Sequence, residues 1–358
     1  MKRTGTLALG LCIFATAAAL CQIRPPAGQR TGPGVQAGQD EKEPEVLKAC
    51  KTPPPAPAAR GGGRRGAAAP ETFPRQYTVM EIPGVIAAGQ QWKDVWQVDG
   101  NNADGIIATK DGGLLTAQND KSDVVKLDKS GNASVAFTGT NTGGSLAMNS
   151  KGTLFVFNRG LNPSIEQLAP KRQPLANRFN DDPLDCIGGV ANDLTADSKG
   201  GVYFTVSGGR GALFYADSKG KVTQYGENLT TNGIVLSADE KHLWVTNGPA
   251  VAEFDVQKDG SLSNQREFAK LEGGGFGGDG STFDAAGHLY VTSNPGVQVI
   301  SPDGKVLGVI PTPRGVISVA FSGPNRKTLY AVSRDNAQNK DWIIAIPMLA
   351  QGPKGRGK

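Results

Sequence analysis

Six short segments recur along the chain at a nearly constant spacing, and this recurrence constrains the fold more than any other feature of the sequence. Each segment opens a predicted strand and is followed by a turn and a second hydrophobic strand. Their first residues lie 40, 48, 40, 47 and 39 positions apart. Four short strands in about forty residues are typical of one blade of a β-propeller. The six segments are residues 104–107, 144–147, 192–195, 232–235, 279–282 and 318–321.

The fifth unit shows the pattern of a single blade most clearly. Residues 278–311 contain short apolar runs that are separated by turns such as Pro302-Asp-Gly304. Apolar runs split by Gly, Pro and Asp indicate consecutive antiparallel strands. We therefore predict an all-β fold, a six-bladed β-propeller over residues 75–348. The strand-like flanks 76–82 and 342–347 are expected to complete one blade together, which would close the ring and remove its open edge.

The two ends of the chain differ in composition from the repeats. Residues 1–21 combine Lys2 and Arg3 with an apolar stretch that is too short to span a bilayer, which predicts a secretory signal peptide. Residues 22–74 are rich in Pro, Ala, Gly and Arg and predict a disordered linker. Residues 349–358 form a basic tail. We expect a secreted or periplasmic monomer without a membrane span.

The charge of the chain does not indicate a nucleic-acid partner. The formal net charge is +5. Five positive charges lie at the two ends, on Lys2, Arg3, Lys354, Arg356 and Lys358. A nucleic-acid site typically shows a basic stripe interleaved with aromatic residues, and the repeats contain none.

Two cysteines lie outside the predicted signal peptide, and their state is open. Cys50 and Cys186 could form a disulfide in an oxidising compartment. The alternative is two free thiols, because Cys50 lies in the predicted disordered linker. Cys186 belongs to a long polar stretch, residues 159–190, of which we expect part to be a strand and part to be an excursion over one face of the ring. The spacing of the two cysteines does not fit a zinc site.

The repeats bring polar residues from distant segments to one place. The inner strands of a propeller begin near its central channel, so residues at one repeat position converge on the axis. Carboxylate and amide oxygens at such a point suit a hard divalent cation such as Ca²⁺ or Mg²⁺. The alternative is that these residues only cap the turns before their strands. The position holds Asp104, Asn192, Asn232 and Asp279, with Gly144 and Ser318 in the other two blades.

Three of these units also carry a family resemblance. Residues 191–204 include Ala191-Asn-Asp193, residues 231–245 begin Thr-Asn-Gly-Ile-Val, and residues 278–291 begin Gly-Asp-Gly. Each resembles a motif of the gluconolactonase family, also called the SMP-30/LRE family, and the resemblance spans about residues 100–335. It implies a six-bladed propeller that binds one divalent cation on the channel axis and hydrolyses sugar lactones.

The resemblance implies a role for each axial residue. Asn232 and Asp279 would bind the cation directly, and Asp279 would also be the catalytic general base. Asn192 would contact a metal-bound water or the substrate. Asp104 stands where the family has Glu and, one methylene shorter, would reach the ion through water. The predicted metal ligands are thus Asp104, Asn192, Asn232 and Asp279, with Ca²⁺ as the first choice of ion and Mg²⁺, Mn²⁺ or Zn²⁺ as alternatives.

The predicted function is hydrolysis of a sugar lactone or a related lactone. The cation would polarise the carbonyl and activate a water, from which Asp279 would take a proton. Arg210 could project over the channel mouth and bind a substrate hydroxyl or carboxylate, or it could be a solvated turn arginine. The competing function is a non-catalytic propeller that binds a glycan, peptide or protein partner. A lyase would need a His or Tyr base in the channel, whereas His242 and His288 are predicted to be structural.

Overall fold

The computed structural model describes residues 35–55, 73–273 and 277–355. Within these residues the chain is a six-bladed β-propeller of four-stranded antiparallel sheets, which confirms the predicted fold class. The strand β1 (Lys93–Asp99) precedes the first complete blade. Blade 1 contains β2 (Ile106–Ala108), β3 (Leu114–Gln118), β4 (Asp123–Leu127) and β5 (Ala133–Phe137), and blade 2 contains β6 (Gly143–Met148), β7 (Leu154–Asn158), β8 (Ser164–Ala169) and β9 (Gln173–Ala176). A separate two-stranded sheet of β10 (Arg178–Phe179) and β11 (Asp182–Pro183) follows. Blade 3 contains β12 (Val190–Ala196), β13 (Val202–Ser207), β14 (Leu213–Ala216) and β15 (Val222–Tyr225).

The last three blades follow the same order of strands. In the part of the chain that the structure describes, three short 3₁₀ helices and one short α-helix lie outside the sheets. Blade 4 contains β16 (Thr231–Leu236), β17 (His242–Asn247), β18 (Ala250–Val256) and β19 (Leu262–Lys270). Blade 5 contains β20 (Ser281–Phe283), β21 (Leu289–Ser293), β22 (Gly296–Ile300) and β23 (Val306–Pro311). Blade 6 contains β24 (Gly315–Ser322), β25 (Thr328–Asp335) and β26 (Lys340–Pro347). The helices are α1 (Glu43–Leu47) and the 3₁₀ turns Ala37–Gln39, Leu184–Ile187 and Pro324–Arg326.

The ring closes by pairing the two ends of the propeller, as expected, but with a different N-terminal strand. The outer strand of blade 6 is β1, which pairs with β26 from Lys93 opposite Ala345 to Asp99 opposite Lys340. The predicted partner, residues 76–82, forms only an isolated bridge between Ile82 and Ile86. Val79 and Ile82 of this segment are buried in the cluster that joins blades 5 and 6 instead. The strand prediction for residues 76–82 is therefore wrong.

The hydrophobic core lies between the blades. Among residues 35–55, 73–273 and 277–355, six buried clusters each join two neighbouring blades. Successive residues of an inner strand point to opposite faces of its sheet, so Ile106 packs toward blade 6 and Ile107 toward blade 2. Neither side chain is exposed to solvent. Each blade therefore buries both faces only by stacking against its two neighbours.

Acidic and amide residues organise the turn between the first and second strands of most blades. In blade 3 the Asp197 carboxylate accepts hydrogen bonds from the backbone of Lys199 and Gly201, each at 2.8 Å. Gly200 in this turn has a φ of +91°, a conformation that side chains rarely adopt. Blade 5 repeats the arrangement, with Asp284 accepting from Ala286 and His288 at 2.9 Å. These turns set the spacing that the sequence repeats reveal.

Part of the predicted linker is folded onto the propeller. Residues 35–55 contain α1 and are joined to the excursion before blade 3 by a Cys50–Cys186 disulfide. The Asp182 carboxylate accepts hydrogen bonds from the backbone of Lys51 and Thr52 at 2.9 and 3.1 Å. The structure thus differs from the prediction of disorder for this segment, because a covalent bond and buried polar contacts fix it. We call residues 35–55 the N-terminal strap.

The remaining predictions about the chain ends are outside the described residues. The predicted signal peptide, residues 1–21, and residues 356–358 of the basic tail belong to this part. Among the described residues, every helix is too short or too polar to cross a bilayer.

Candidate functional site at the channel axis

Backbone segments of neighbouring blades touch around the channel axis. At three of these contacts a glycine allows the close approach. The tightest contact joins blades 4 and 5, where a Cβ on Gly233 would lie 2.1 Å from the carbonyl oxygen of Asp279. The glycine after each of these axial residues is therefore required by packing. Gly105 N donates to Gly144 O across blades 1 and 2 at 2.7 Å, and Gly280 N donates to Ile317 O across blades 5 and 6 at 2.9 Å.

Asp193 extends these contacts between blades to blade 3, and we call the whole set the polar belt. Its carboxylate accepts a hydrogen bond from Ser145 Oγ of blade 2 at 2.5 Å and one from Ile234 N of blade 4 at 2.9 Å. It is only 5% exposed. Of the adjacent pair Asn192 and Asp193, the aspartate therefore joins blades 2, 3 and 4.

The Asp104 carboxylate of blade 1 is half-buried and already paired with a cation. Its Oδ2 accepts a hydrogen bond from Arg159 Nη1 at 2.6 Å and from Asn119 Nδ2 at 2.8 Å. Arg159 is 7% exposed, and its Nη2 donates to the carbonyl oxygen of Asn192 at 2.5 Å. The guanidinium thus bridges the axial residues of blades 1 and 3.

Gly144 explains how blade 2 takes part in the ring. A Cβ at this position would lie 2.0 Å from Arg159 Cζ. The guanidinium of Arg159 therefore fills the place that an axial side chain of blade 2 would take. Gly144 has no side-chain oxygen to offer a metal ion, and its missing side chain leaves the space that the Arg159 guanidinium occupies.

Arg334 is a second cation beside the axis. It donates to both carboxylate oxygens of Asp341, at 2.8 and 3.1 Å, and to Asn101 Oδ1 at 2.5 Å. Burial alone would lower the pKa of Arg334, but the hydrogen bond to Asp341 and the charges of Asp341, Asp104 and Asp279 raise it. Asp104 and Asp279 are therefore both close enough to act on one guanidinium.

Blades 4 and 5 contribute the oxygen-bearing residues Asn232 and Asp279 to the axial ring. The side-chain Oδ1 of Asn232 is buried and has no hydrogen-bond partner within the described part of the chain. The carbonyl oxygen of Asn232 accepts a hydrogen bond from Thr205 Oγ1. Asp279 is half-buried, and its backbone N–H donates to Thr292 O at 3.0 Å. A buried oxygen without a donor costs free energy, so a ligand that binds Asn232 Oδ1 would remove that cost.

Comparison with known proteins identifies the family. The SMP-30/Gluconolactonase/LRE-like region matches residues 116–335. This is more than half of the 358-residue chain. The chain belongs to this family.

Individual gluconolactonase-family relatives are distant. Lactonase drp35 of Staphylococcus saprophyticus is 29% identical over 186 residues, which are 45% of this chain and 56% of that protein. The chain thus spans little more than half the length of this curated relative. A gluconolactonase of Xanthomonas campestris has a TM-score of 0.61 at 21% identity, covering 73% of this chain and 90% of that one. The calcium-binding protein regucalcin of Agrobacterium tumefaciens has a TM-score of 0.58 at 17% identity, covering 74% and 96%. These structures show a common fold.

The axial residues fit a divalent cation only in part. The free oxygen of Asn232, with Asp279 beside it, suits a hard cation. Asp104 does not fit while Arg159 holds its Oδ2. Within residues 35–55, 73–273 and 277–355, no three His, Cys, Asp or Glu side chains form a group that could hold a metal ion. The four-residue ligand set remains a prediction.

In the sixth blade the structure corrects the sequence alignment by one residue. Gly280 contacts Ile317 in the way that Gly105 contacts Gly144, so Ile317 is the axial residue and Ser318 follows it. The Ser318 hydroxyl instead accepts a hydrogen bond from Ile106 N at 3.3 Å. A slip of one residue moves a side chain to the other face of its strand, and the register is irregular between Val316 and Ser318.

The openings of the first strands do not reveal the two arginines beside the axis. Arg159 lies three residues after Val156, which pairs with Leu146, and Arg334 lies three residues after Ala331, which pairs with Val319. The two positions are equivalent in blades 2 and 6. An alignment of the ends of the second strands, in addition to the openings of the first, would have found them.

Arg210 and the histidines lie away from the axial ring. Arg210 Nη2 donates to the carbonyl oxygen of Cys186 at 2.9 Å and contacts the carbonyl oxygens of Thr52 and Pro53 at 3.5 Å. A substrate contact by Arg210 would require it to leave the strap. His288 Nδ1 is 2.8 Å from the turn residue Asp284 and His242 Nδ1 is 2.9 Å from Glu253.

Proposed function

We propose that this protein is a lactone hydrolase that acts at the channel axis of the propeller. The supporting observation is the convergence of Asp104, Asn192, Asn232 and Asp279 from four blades on one ring, in a chain of the gluconolactonase family. Each of these four residues is half-buried and not sealed in the core, which supports a role at the channel. The name of the matched lactonase points to the same reaction class.

In the proposed reaction, Asp279 is the general base. A water oxygen attacks the lactone carbonyl carbon, and the Asp279 carboxylate takes the proton that the water releases. The ring C–O bond then breaks, and the proton held by Asp279 passes to the departing alkoxide, which gives a hydroxy acid and restores the Asp279 carboxylate. The amides of Asn192 and Asn232 are proposed to orient the substrate and the attacking water.

A divalent cation is proposed to be held by Asn232 and Asp279, with Ca²⁺ as the first choice. The solved relative that is named a calcium-binding protein supports this choice of ion. When bound, such a cation would polarise the lactone carbonyl and stabilise the developing oxyanion. Asp104 would be a further ligand only when the Arg159 guanidinium no longer binds its carboxylate.

The chain is proposed to act outside the cytoplasm. The Cys50–Cys186 disulfide supports this location, because disulfides persist mainly in oxidising compartments. The signal-like composition of residues 1–21 supports it independently.

The test is hydrolysis of glucono-δ-lactone above the uncatalysed rate, with Ca²⁺, Mg²⁺, Mn²⁺ or Zn²⁺ added singly. We expect turnover by the native chain and a loss of about 100-fold or more in kcat for Asp279→Asn, which cannot accept the proton. Asp303→Asn is the matched control, because Asp303 lies in an exposed turn of the same blade with 61% of its side chain exposed. Equal turnover by Asp279→Asn and the native chain would contradict the assignment of the base.

One observation favours the second candidate, a non-catalytic propeller that binds a partner. The Arg159–Asp104 ion pair neutralises a carboxylate that a metal-dependent hydrolase would use. Absence of turnover with every cation, together with retained folding, would support this alternative.

A further inference from the structure

A side chain of the protein already occupies part of the position expected for the metal ion. The guanidinium of Arg159 reaches Asp104 Oδ2 at 2.6 Å and the Asn192 carbonyl oxygen at 2.5 Å. It lies over Gly144, where any side chain would collide with it. A carboxylate oxygen of Asp104 and the backbone carbonyl oxygen of Asn192 thus accept hydrogen bonds from one cation that the chain supplies itself.

The charges beside the axis argue against a tightly bound second cation. Arg159 pairs with Asp104, and Arg334 pairs with both oxygens of Asp341. Of the two predicted carboxylate ligands, Asp104 therefore already has a cationic partner before a divalent ion arrives. Calcium affinity rises with the number of charged ligands, and a guanidinium within a few ångströms repels a cation in a half-buried site.

We propose that Arg159 is a resident counterion of the channel that competes with divalent cations for Asp104. A cation at Asn232 and Asp279 gains Asp104 only when the guanidinium withdraws from it. The inference deepens the proposed function, since it concerns the same ring, but it concerns binding and does not require turnover. Arg159 therefore sets the metal affinity of this chain.

The test is Ca²⁺ binding to the full chain by isothermal titration calorimetry, without any lactone. The native chain should bind with a Kd of about 10⁻⁴ M or weaker, the range of calcium sites of low affinity. Arg159→Met removes the charge and keeps much of the side-chain volume, so it should bind Ca²⁺ at least about tenfold more tightly. Adding Asp279→Asn to Arg159→Met should abolish that gain.

Arg172→Met is the matched control. Arg172 lies in the turn between the two outer strands of the same blade and pairs with the buried Glu166 at 2.6 Å, so its loss should leave Ca²⁺ binding unchanged. A gain in affinity confined to Arg159→Met supports the proposal, whereas equal or weaker binding by that variant overturns it. If Arg159→Met does not fold, the native chain still decides, because a submicromolar Kd for Ca²⁺ would overturn the proposal. Since no substrate is present, failure of the lactonase proposal would not affect these outcomes.

Discussion

At the scale of single residues, the charged groups beside the channel depend on contacts that the repeat pattern of the sequence does not show. Gly144 carries no ligand atom, yet it decides where Arg159 can lie. Asn192 and Asp193 are neighbours in one motif, but the first is half-buried, with its carbonyl oxygen accepting from Arg159, and the second is buried between blades. Residue type at the axial position alone therefore does not identify the groups that carry charge in the site.

Asp185, beneath the strap, is a buried carboxyl with a consequence for pH. It lines a cavity of ≈ 10 Å³ together with Glu43 and Arg159. Its Oδ1 accepts a hydrogen bond from Asn162 N at 3.2 Å, while its buried Oδ2 has no hydrogen-bond partner in the described ranges. Burial raises the pKa of Asp185 to about 6. Burial and the charges of Asp185 and Asp40 also raise the pKa of Glu43.

We predict that Asp185 makes the folded chain less stable as the pH rises from about 4 to about 6. In this window the folded chain binds more protons than the unfolded chain, so the free energy of unfolding falls with pH. The full difference is on the order of 3 kcal/mol, and Asp185→Asn should remove most of it. Urea unfolding at pH 4 and pH 7 measures it. Asp181→Asn, with 87% of its side chain exposed, is the control, and an unchanged pH dependence in Asp185→Asn would contradict the prediction.

At the scale of elements, the strap is a segment that is held mainly by cross-links to one side of the ring. Its first part contacts blade 2, where Ala37 N donates to the carbonyl oxygen of Arg159 at 2.9 Å. Its last part contacts the excursion before blade 3 through Cys186 and Asp182. The strap therefore covers the backbone from which Arg159 extends to the axis.

We predict that replacing both Cys50 and Cys186 by Ser lowers the free energy of unfolding by about 2–4 kcal/mol, because the disulfide closes a long loop between residues 136 positions apart. The strap should also become the first site of cleavage in limited proteolysis, since its remaining contacts are few polar bonds. Unfolding in urea and mass spectrometry of the fragments measure both effects. The native chain with reductant should behave like the double variant, and an intact strap in either would contradict the prediction.

The elements that local patterns control were the ones that the sequence predicted. Turns such as the one that contains Asp197 and Gly200 repeat because each satisfies its own backbone within a few residues, and they mark the blades. The identity of the closing strand could not be read in this way, since residues 76–82 and Lys93–Asp99 are both strand-like and only packing against blade 6 selects the second. The fold of the strap depends on a disulfide that joins distant parts of the sequence.

The candidate site was predictable to the extent that it follows the repeat. The positions of Asp104, Asn192, Asn232 and Asp279 follow from the openings of four blades. The ion pair between Asp104 and Arg159 does not follow from the repeat. Arg159 reaches the axis from the end of the second strand of blade 2, and it fits there because Gly144 in the first strand has no side chain.

At the scale of the whole molecule, stability depends on contacts that run around the ring. Each blade shares one hydrophobic cluster with each neighbour, and β1 with β26 closes the circle. The polar belt near the axis adds a second set of links between blades. Asp193 is its most connected member, because its carboxylate ties blade 3 to Ser145 of blade 2 and to Ile234 of blade 4.

We predict that Asp193→Ala lowers the free energy of unfolding by about 3 kcal/mol or more, because it leaves the buried N–H of Ile234 and the hydroxyl of Ser145 without their acceptor. Asn192→Ala, one residue away and half-buried at the channel, should lower it by less than about 1 kcal/mol. Urea unfolding of the two variants and the native chain measures the difference. If Asn192→Ala were the more damaging variant, the motif residue that joins the blades would be the asparagine, and the assignment of Asn192 to the channel chemistry would have to be given up.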